Sequence, residues 1–433
     1  MKNSIPFSRW LAAPAIVLLS ASIFAQQPPP PAPPTSPAPP TLSRLETLGK
    51  NLFEDKALSE PSGTACLSCH LPATGWASNH GSTVGVPVGS LPGVLGLRNA
   101  LTNGYNRFIP PFAFRVKDGD TDPTGGHFWD GRADTLAEQA LGPFLAAKEM
   151  NNPNSATVVK KVAAASYSKL MTDEFGADIF RTPDLAFKKI GEAIAAFEGT
   201  RGFQPFSSKY DNFVLGKTSL AANELRGMKL FMDPTRGNCA SCHLMNPASK
   251  DPKDSLFTDF AFYALGVPRN RAIPDNANPS FFDLGLCGPN RTRPALGANV
   301  PAGVTVEQFC GTFRMATLRN VADRKAFMHN GVFKSLREVV SFYATRNSNP
   351  TRWYGPGGVP NDLPLAYLGN IIQDRVPFSR PRSAGPALSE PEIDDVVAFL
   401  TTLSDAPAAT APTPQAPLPL PAVAAILNPF GGK

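Results

Sequence analysis

Charge is scarce in this sequence: Asp, Glu, Lys and Arg together make up 18% of its 433 residues. No long basic run occurs, and the net charge of +6 is spread thinly. The sequence therefore lacks the electrostatic footprint of a nucleic-acid-binding protein. Long apolar runs are missing too. The stretch Trp10 to Phe24 is about 15 residues long, whereas a membrane-spanning helix needs about 20, and a mean hydropathy of −0.13 excludes a polytopic membrane protein. The apolar share of 42% excludes full disorder. Cysteine and histidine are rare, six and five residues, so the placement of each carries information.

Proline is abundant, at 46 residues, but it is unevenly placed. Lys2 and Arg9 precede the Trp10–Phe24 stretch, and Ala25 follows it. A short basic segment, an apolar run and a small boundary residue describe a secretory signal peptide over 1–25, cleaved after Ala25. The mature chain is then expected in an oxidising compartment outside the cytoplasm, the periplasm, with no integral membrane segment. Residues 26–41 hold nine prolines and read as a semi-rigid linker. Residues 406–433 hold seven more, among alanines and threonines, and read as a disordered tail. Between them lies a loop-rich folded body.

That body contains a duplication. Gly49-Lys50-Asn51-Leu52-Phe53 leads into Cys66-Leu67-Ser68-Cys69-His70, and Gly227-Met228-Lys229-Leu230-Phe231 leads into Cys239-Ala240-Ser241-Cys242-His243. Each half also carries a later helical pattern. Ile190, Ile194 and Phe197 recur at i, i+4, i+7 in the first half. Val396, Phe399, Leu400 and Leu403 follow a Ser389–Glu392 capping box in the second. The parse is a mainly α fold of two related helical domains with long loops, 42–215 and 216–405.

The Cys-x-x-Cys-His motif has a physical purpose. Two thiols three positions apart reach both vinyl groups of one haem, and the adjacent imidazole lies beneath the iron. Cys66, Cys69 and His70 are expected to hold one covalently bound haem c, and Cys239, Cys242 and His243 a second. The competing reading joins the two cysteine pairs in a Cys₄ zinc site, which would not need a histidine after each pair. Cys287 and Cys310 remain, and in an exported protein they read as a disulfide, a metal site being the alternative.

Further residues carry a likeness. Phe128-Trp129-Asp130-Gly131-Arg132-Ala133, Gln139, Gly142-Pro143, Glu149-Met150, Leu318-Arg319-Asn320-Val321-Ala322 and Met328-His329-Asn330-Gly331, with both haem motifs in order, resemble the bacterial dihaem cytochrome c peroxidase/MauG family over nearly all of 42–405. The resemblance implies two cytochrome c-like domains, with peroxide reacting at the haem of His70 and electrons entering through the haem of His243. It makes Glu149 the distal acid/base, Gln139 and Pro143 distal-pocket residues, Trp129 the aromatic bridge between the haems and His329 a histidine near the active haem. It also makes Asn99 the side-chain ligand of an interdomain calcium. The family's Thr-x-Pro is replaced there by Arg324 and Ala326.

Axial ligands separate the branches of this family. Val86 stands where the well-known peroxidases carry a second histidine, so the first haem is expected to be open, with His80 and His127 as other candidate ligands. Tyr343 stands where those peroxidases carry methionine and MauG carries tyrosine, and Met315 and Met328 are its possible substitutes. The expected activity is an exported peroxidase that reduces hydrogen peroxide with electrons from a small donor protein, a cytochrome c or a cupredoxin. The alternatives are a MauG-like oxidase acting on a protein substrate and a non-enzymatic dihaem electron carrier.

Overall fold

A computed structural model describes residues 41–117, 120–291 and 300–406. The expected signal peptide, the proline-rich linker apart from residue 41, and the tail beyond Ala406 lie outside the described residues. Six helices position everything that follows: α1 (Arg44–Glu54), α2 (Leu136–Leu145), α3 (Pro183–Glu198), α4 (Ala222–Met232), α5 (Leu336–Thr345) and α6 (Glu390–Thr401). Among the described residues, strand structure is confined to two short antiparallel pairs, Ala113–Lys117 with Asp120–Thr124, and Phe262–Tyr263 with Phe313–Arg314. No helix among the described residues is long and apolar enough to cross a membrane.

The helices start where their sequences offer caps. Ser43 accepts from the N–H of Glu46, whose carboxylate accepts from the Ser43 N–H, closing a capping box at α1. Thr135 with Glu138 does the same at α2, and Ser389 with Glu392 at α6. From α1 the buried Leu48, Leu52 and Phe53 meet Ile190 and Ile194 of α3 in the first core. Phe231 of α4 meets Val396, Phe399 and Leu400 of α6 in the second. Tyr210 and Val214, just ahead of the boundary expected at 215/216, already pack into this second core.

The duplication extends to backbone contacts. A Cβ on Gly49 would stand 1.9 Å from the carbonyl oxygen of Ala193, and one on Gly227 1.9 Å from that of Asp395. Each approach helix thus lies directly on the backbone of its partner, α1 on α3 and α4 on α6. Alanine normally gains about 1 kcal/mol over glycine inside a helix. At Gly227 we expect the opposite sign, because two backbones must separate. Gly227→Ala should lose on the order of 1–2 kcal/mol, read as a lower denaturant midpoint. An unchanged or raised midpoint would mean that the α4–α6 contact is looser than described.

A second repeat, less visible in the sequence, precedes α2 and α5. The loop from His127 to Ala133 is closed by the His127 N–H donating to Ala133 O at 2.7 Å, and that from Phe327 to Phe333 by the Phe327 N–H donating to Phe333 O at 3.1 Å. Phe128 and Met328 both sit at φ +66°, and Gly131 and Gly331 both at +62°. A helix capped by Thr135 or Ser335 follows each loop. Position for position, Trp129 corresponds to His329, and Pro143 to Tyr343.

Two buried arginines, each from a Leu-Arg-Asn triplet, tie distant segments together. Arg98 donates to Asp283 at 2.7 and 2.8 Å and to Asp130 at 2.8 Å. Arg319 is paired with the fully buried Asp211 at 3.0 Å and lies over the rings of Tyr105 and Phe206. Cys287 and Cys310 form a disulfide that closes the loop between them.

Candidate haem centres

Both Cys-x-x-Cys-His motifs coil into a single turn. Cys66–Cys69 is one turn of α-helix, and the His70 N–H donates to Cys66 O at 3.0 Å. Cys239–Ser241 is a 3₁₀ turn, and the His243 N–H donates to Cys239 O at 2.9 Å. None of these four cysteines is in a disulfide. Burial pushes Cys69 and Cys239 up to about 12 and raises Cys66 and Cys242 as well, so all four are protonated at neutral pH. Among the described residues no three His, Cys, Asp or Glu side chains are grouped to hold a metal ion. The Cys₄ zinc arrangement is therefore not assembled.

The two imidazoles are held alike. Nδ1 of His70 lies 3.0 Å from Trp76 O, and Nδ1 of His243 3.0 Å from Phe257 O. A carbonyl can only accept, so Nδ1 carries the proton in each ring and Nε2 keeps its lone pair. Burial lowers both pKa values, that of His243 to about 4, so the rings stay neutral. Neutral, oriented imidazoles are what an iron ligand requires.

The space around His243 fits a haem. A cavity partly open to solvent is lined by Cys239, Cys242 and His243, by apolar Phe231, Val340 and Leu400, and by Arg314, Arg324 and Arg375. Apolar walls suit the faces of a tetrapyrrole, and guanidinium groups suit its carboxylates. Tyr343, Met315, Met328, Trp129 and His329 line the same cavity. Burial pushes the Tyr343 phenol well above its ordinary range, and the rings of Phe342 and Phe378 enclose it. In the first half, Cys66, Leu67 and Trp76 pack against the first core, with Trp76 stacked on Phe203 at 4.0 Å.

The corresponding helices make the two centres unequal. Where α5 offers the Tyr343 phenol, α2 offers Pro143, whose side chain cannot ligate iron. Pro143 also lacks the N–H that would bond Gln139 O one turn earlier. Gln139 and Pro143 share one face of α2, as residues four apart do.

Glu149 lies in the turn after α2, where its carbonyl accepts from the Ser90 N–H at 2.7 Å. Burial raises its carboxyl pKa and the Arg132 guanidinium opposes that rise. Burial first, and the Glu149 carboxylate after it, push up the thiols of Cys69 and Cys66. Arg132, which sequence reasoning did not single out, is fixed by Asp130 at 2.9 Å and lies 3.5 Å over the Phe128 ring.

Asn99 gathers Trp129 and His329. Trp129 Nε1 donates to Asn99 O at 2.8 Å, and the Asn99 N–H donates to His329 O at 2.7 Å. Phe313 meets Trp129 edge-on at 6.5 Å and stacks on His329 at 3.7 Å. The Asn99 side chain donates to the carbonyls of Ala326 (3.0 Å) and Met328 (3.2 Å). Two carbonyl partners require the amide NH₂ on that side, so those oxygens already have a donor. Calcium takes six to eight oxygens, from carboxylates, carbonyls or water, and here the two carbonyls face the Asn99 NH₂ group instead. His80 Nδ1 is held against Val88 O at 2.8 Å. His127 is buried, and burial together with Arg314 pulls its pKa down to about 3.

Comparison with known proteins gives the family. A family model described as di-haem cytochrome c peroxidase matches residues 43–219. The chain is 32% identical over 407 residues to the methylamine utilization protein MauG of Paracoccus denitrificans, covering 91% of this chain and 94% of that protein. It is 28% identical over 407 residues to the cytochrome-c peroxidase IdrP1 of Pseudomonas sp. strain SCT, covering 91% and 95%. The crystal structure of the diheme peroxidase BthA from Burkholderia thailandensis aligns at a TM-score of 0.79 and 40% identity, over 89% of this chain and 92% of that one. The chain is an oxidoreductase that uses haem and acts on peroxide, and it belongs to the dihaem cytochrome c peroxidase/MauG family.

Proposed function

We propose that the protein reduces hydrogen peroxide to water at the centre of His70, with two electrons and two protons consumed per peroxide. The electrons come from a small redox protein, a cytochrome c or a cupredoxin, and enter through the centre of His243. The observation that carries this reading is the inequality of the two centres: Pro143 in one helix stands where Tyr343 stands in the other. One centre is left open to peroxide, and the other is closed and suited to relaying electrons. Export, with cleavage after Ala25, would bring the enzyme to the periplasm. Thioether bonds from Cys66, Cys69, Cys239 and Cys242 would then fix both haems.

The bound haem supplies redox-active iron; the chain supplies orientation and protons. His70 is held as ligand by Trp76 O, and His243 by Phe257 O. Glu149 takes the proton from one peroxide oxygen and returns it to the other, which makes the departing oxygen a better leaving group. Burial keeps its carboxyl pKa above the ordinary range, and Arg132 limits that rise, so the group can both take and give a proton. Trp129, fixed through its indole N–H, lines the second cavity and gives electrons an aromatic route.

A second reading is favoured by Tyr343 and by the 32% identity to a MauG: peroxide equivalents would modify residues of a partner protein. Steady-state assays test both. Peroxide-dependent oxidation of a reduced cytochrome c or cupredoxin supports the first, and a covalent mass change in a partner without donor turnover supports the second. A carrier without catalysis would show neither.

A further inference from the structure

Arg324 is a buried cation with no part in the chemistry above. It follows the 3₁₀ turn Val321–Asp323 and is 8% exposed. Its Nη2 donates to Ala100 O at 2.8 Å, and its Nε has no partner. Arg98 and Arg319, equally buried, are each paired with aspartate. Arg324 forms no ion pair among the described residues, and only burial acts on its charge. An unneutralised buried guanidinium is strongly disfavoured unless an anion meets it. Arg324 reaches one centre by geometry and the other by electrostatic influence. It lines the cavity around His243, and its charge is felt at the His70 imidazole. The carbonyls beside it are already taken, Ala326 and Met328 by the Asn99 amide and Ala100 by Arg324 itself.

We infer that the Arg324 guanidinium is the fixed positive charge between the two centres, pairing with a haem carboxylate where a divalent cation would otherwise sit. The holoprotein then needs no calcium at this position. The inference rests on the two-haem reading, since the haem supplies the anion. Losing a positive charge beside a haem disfavours its ferrous state, so removing the guanidinium lowers the midpoint potential.

The test uses the full-length holoprotein. Haem is counted first by its pyridine haemochrome; a chain without haem would sink the two-haem reading itself, whatever the state of Arg324. With both haems present, calcium is measured by elemental analysis before and after EGTA, and both potentials are titrated. We expect substoichiometric calcium and potentials that neither EGTA nor added calcium moves. Arg324→Gln, which keeps a donor for Ala100 O, should lower at least one potential, whereas Arg324→Lys should leave both near wild type. Stoichiometric calcium whose removal shifts the potentials would overturn the inference. So would a haem-loaded Arg324→Gln protein with unmoved potentials. Should the Gln variant fail to fold, the calcium measurement on the wild-type protein still decides.

Discussion

Replacing Glu149 by glutamine is expected to slow peroxide turnover by about 10²–10⁴-fold while haem content and reducibility stay as they are. The size follows from the work required. Peroxide must lose a proton from one oxygen and gain one at the other, and glutamine can neither accept nor supply it. The shape is conserved, so binding and folding should change little. The pH profile supplies the sign. A general base acts when deprotonated, and burial holds the Glu149 pKa above the ordinary carboxylate value of about 4.3. The acid limb of the rate should therefore lie above that value and disappear in the glutamine variant. Arg132 lowers the Glu149 pKa, so Arg132→Gln should move the limb to still higher pH. A limb that stays put in both variants would remove Glu149 from the mechanism.

The second large effect is expected from Tyr343→Phe. Phenylalanine fills the same space among Phe342 and Phe378 but deletes the oxygen. If the phenol oxygen binds iron, the absorption and EPR spectra of the second haem must change, and its potential must rise, because an anionic oxygen ligand favours ferric iron. Burial keeps the free phenol protonated, so binding iron has to release that proton. Lowering the pH of the wild-type protein should accordingly reproduce part of the spectral change. A second-haem spectrum unaltered by the substitution would exclude tyrosinate and return attention to Met315 and Met328, which line the same cavity.

Much of this architecture was legible in the sequence because its signals are local. Ser43 with Glu46 and Ser389 with Glu392 cap their helices within four residues, and the two Cys-x-x-Cys-His motifs are single turns. Gly49 and Gly227 were visible as a repeat, but not as places where helix backbones touch. The loops before α2 and α5 were harder to match. The six-residue stretches from Phe128 and from Met328 share only the glycine, and bulky residues rarely take the positive φ that Phe128 and Met328 adopt. The correspondence of Pro143 with Tyr343, which makes the two centres unequal, therefore emerges only from the fold. Non-local electrostatics were also invisible. Arg98 finds Asp283 across 185 positions, and the Arg324 guanidinium is buried without an acidic partner among the described residues.

Inequality of the two centres is the central claim, and stopped-flow mixing of the fully oxidised holoprotein with one equivalent of peroxide tests it most directly. With Pro143 leaving the His70 centre open, the absorption of the diferric protein should change at once, at a rate linear in peroxide, without prior reduction. Diferric protein that stays inert until one haem has been reduced would contradict the account, because it would mean that another residue closes that centre.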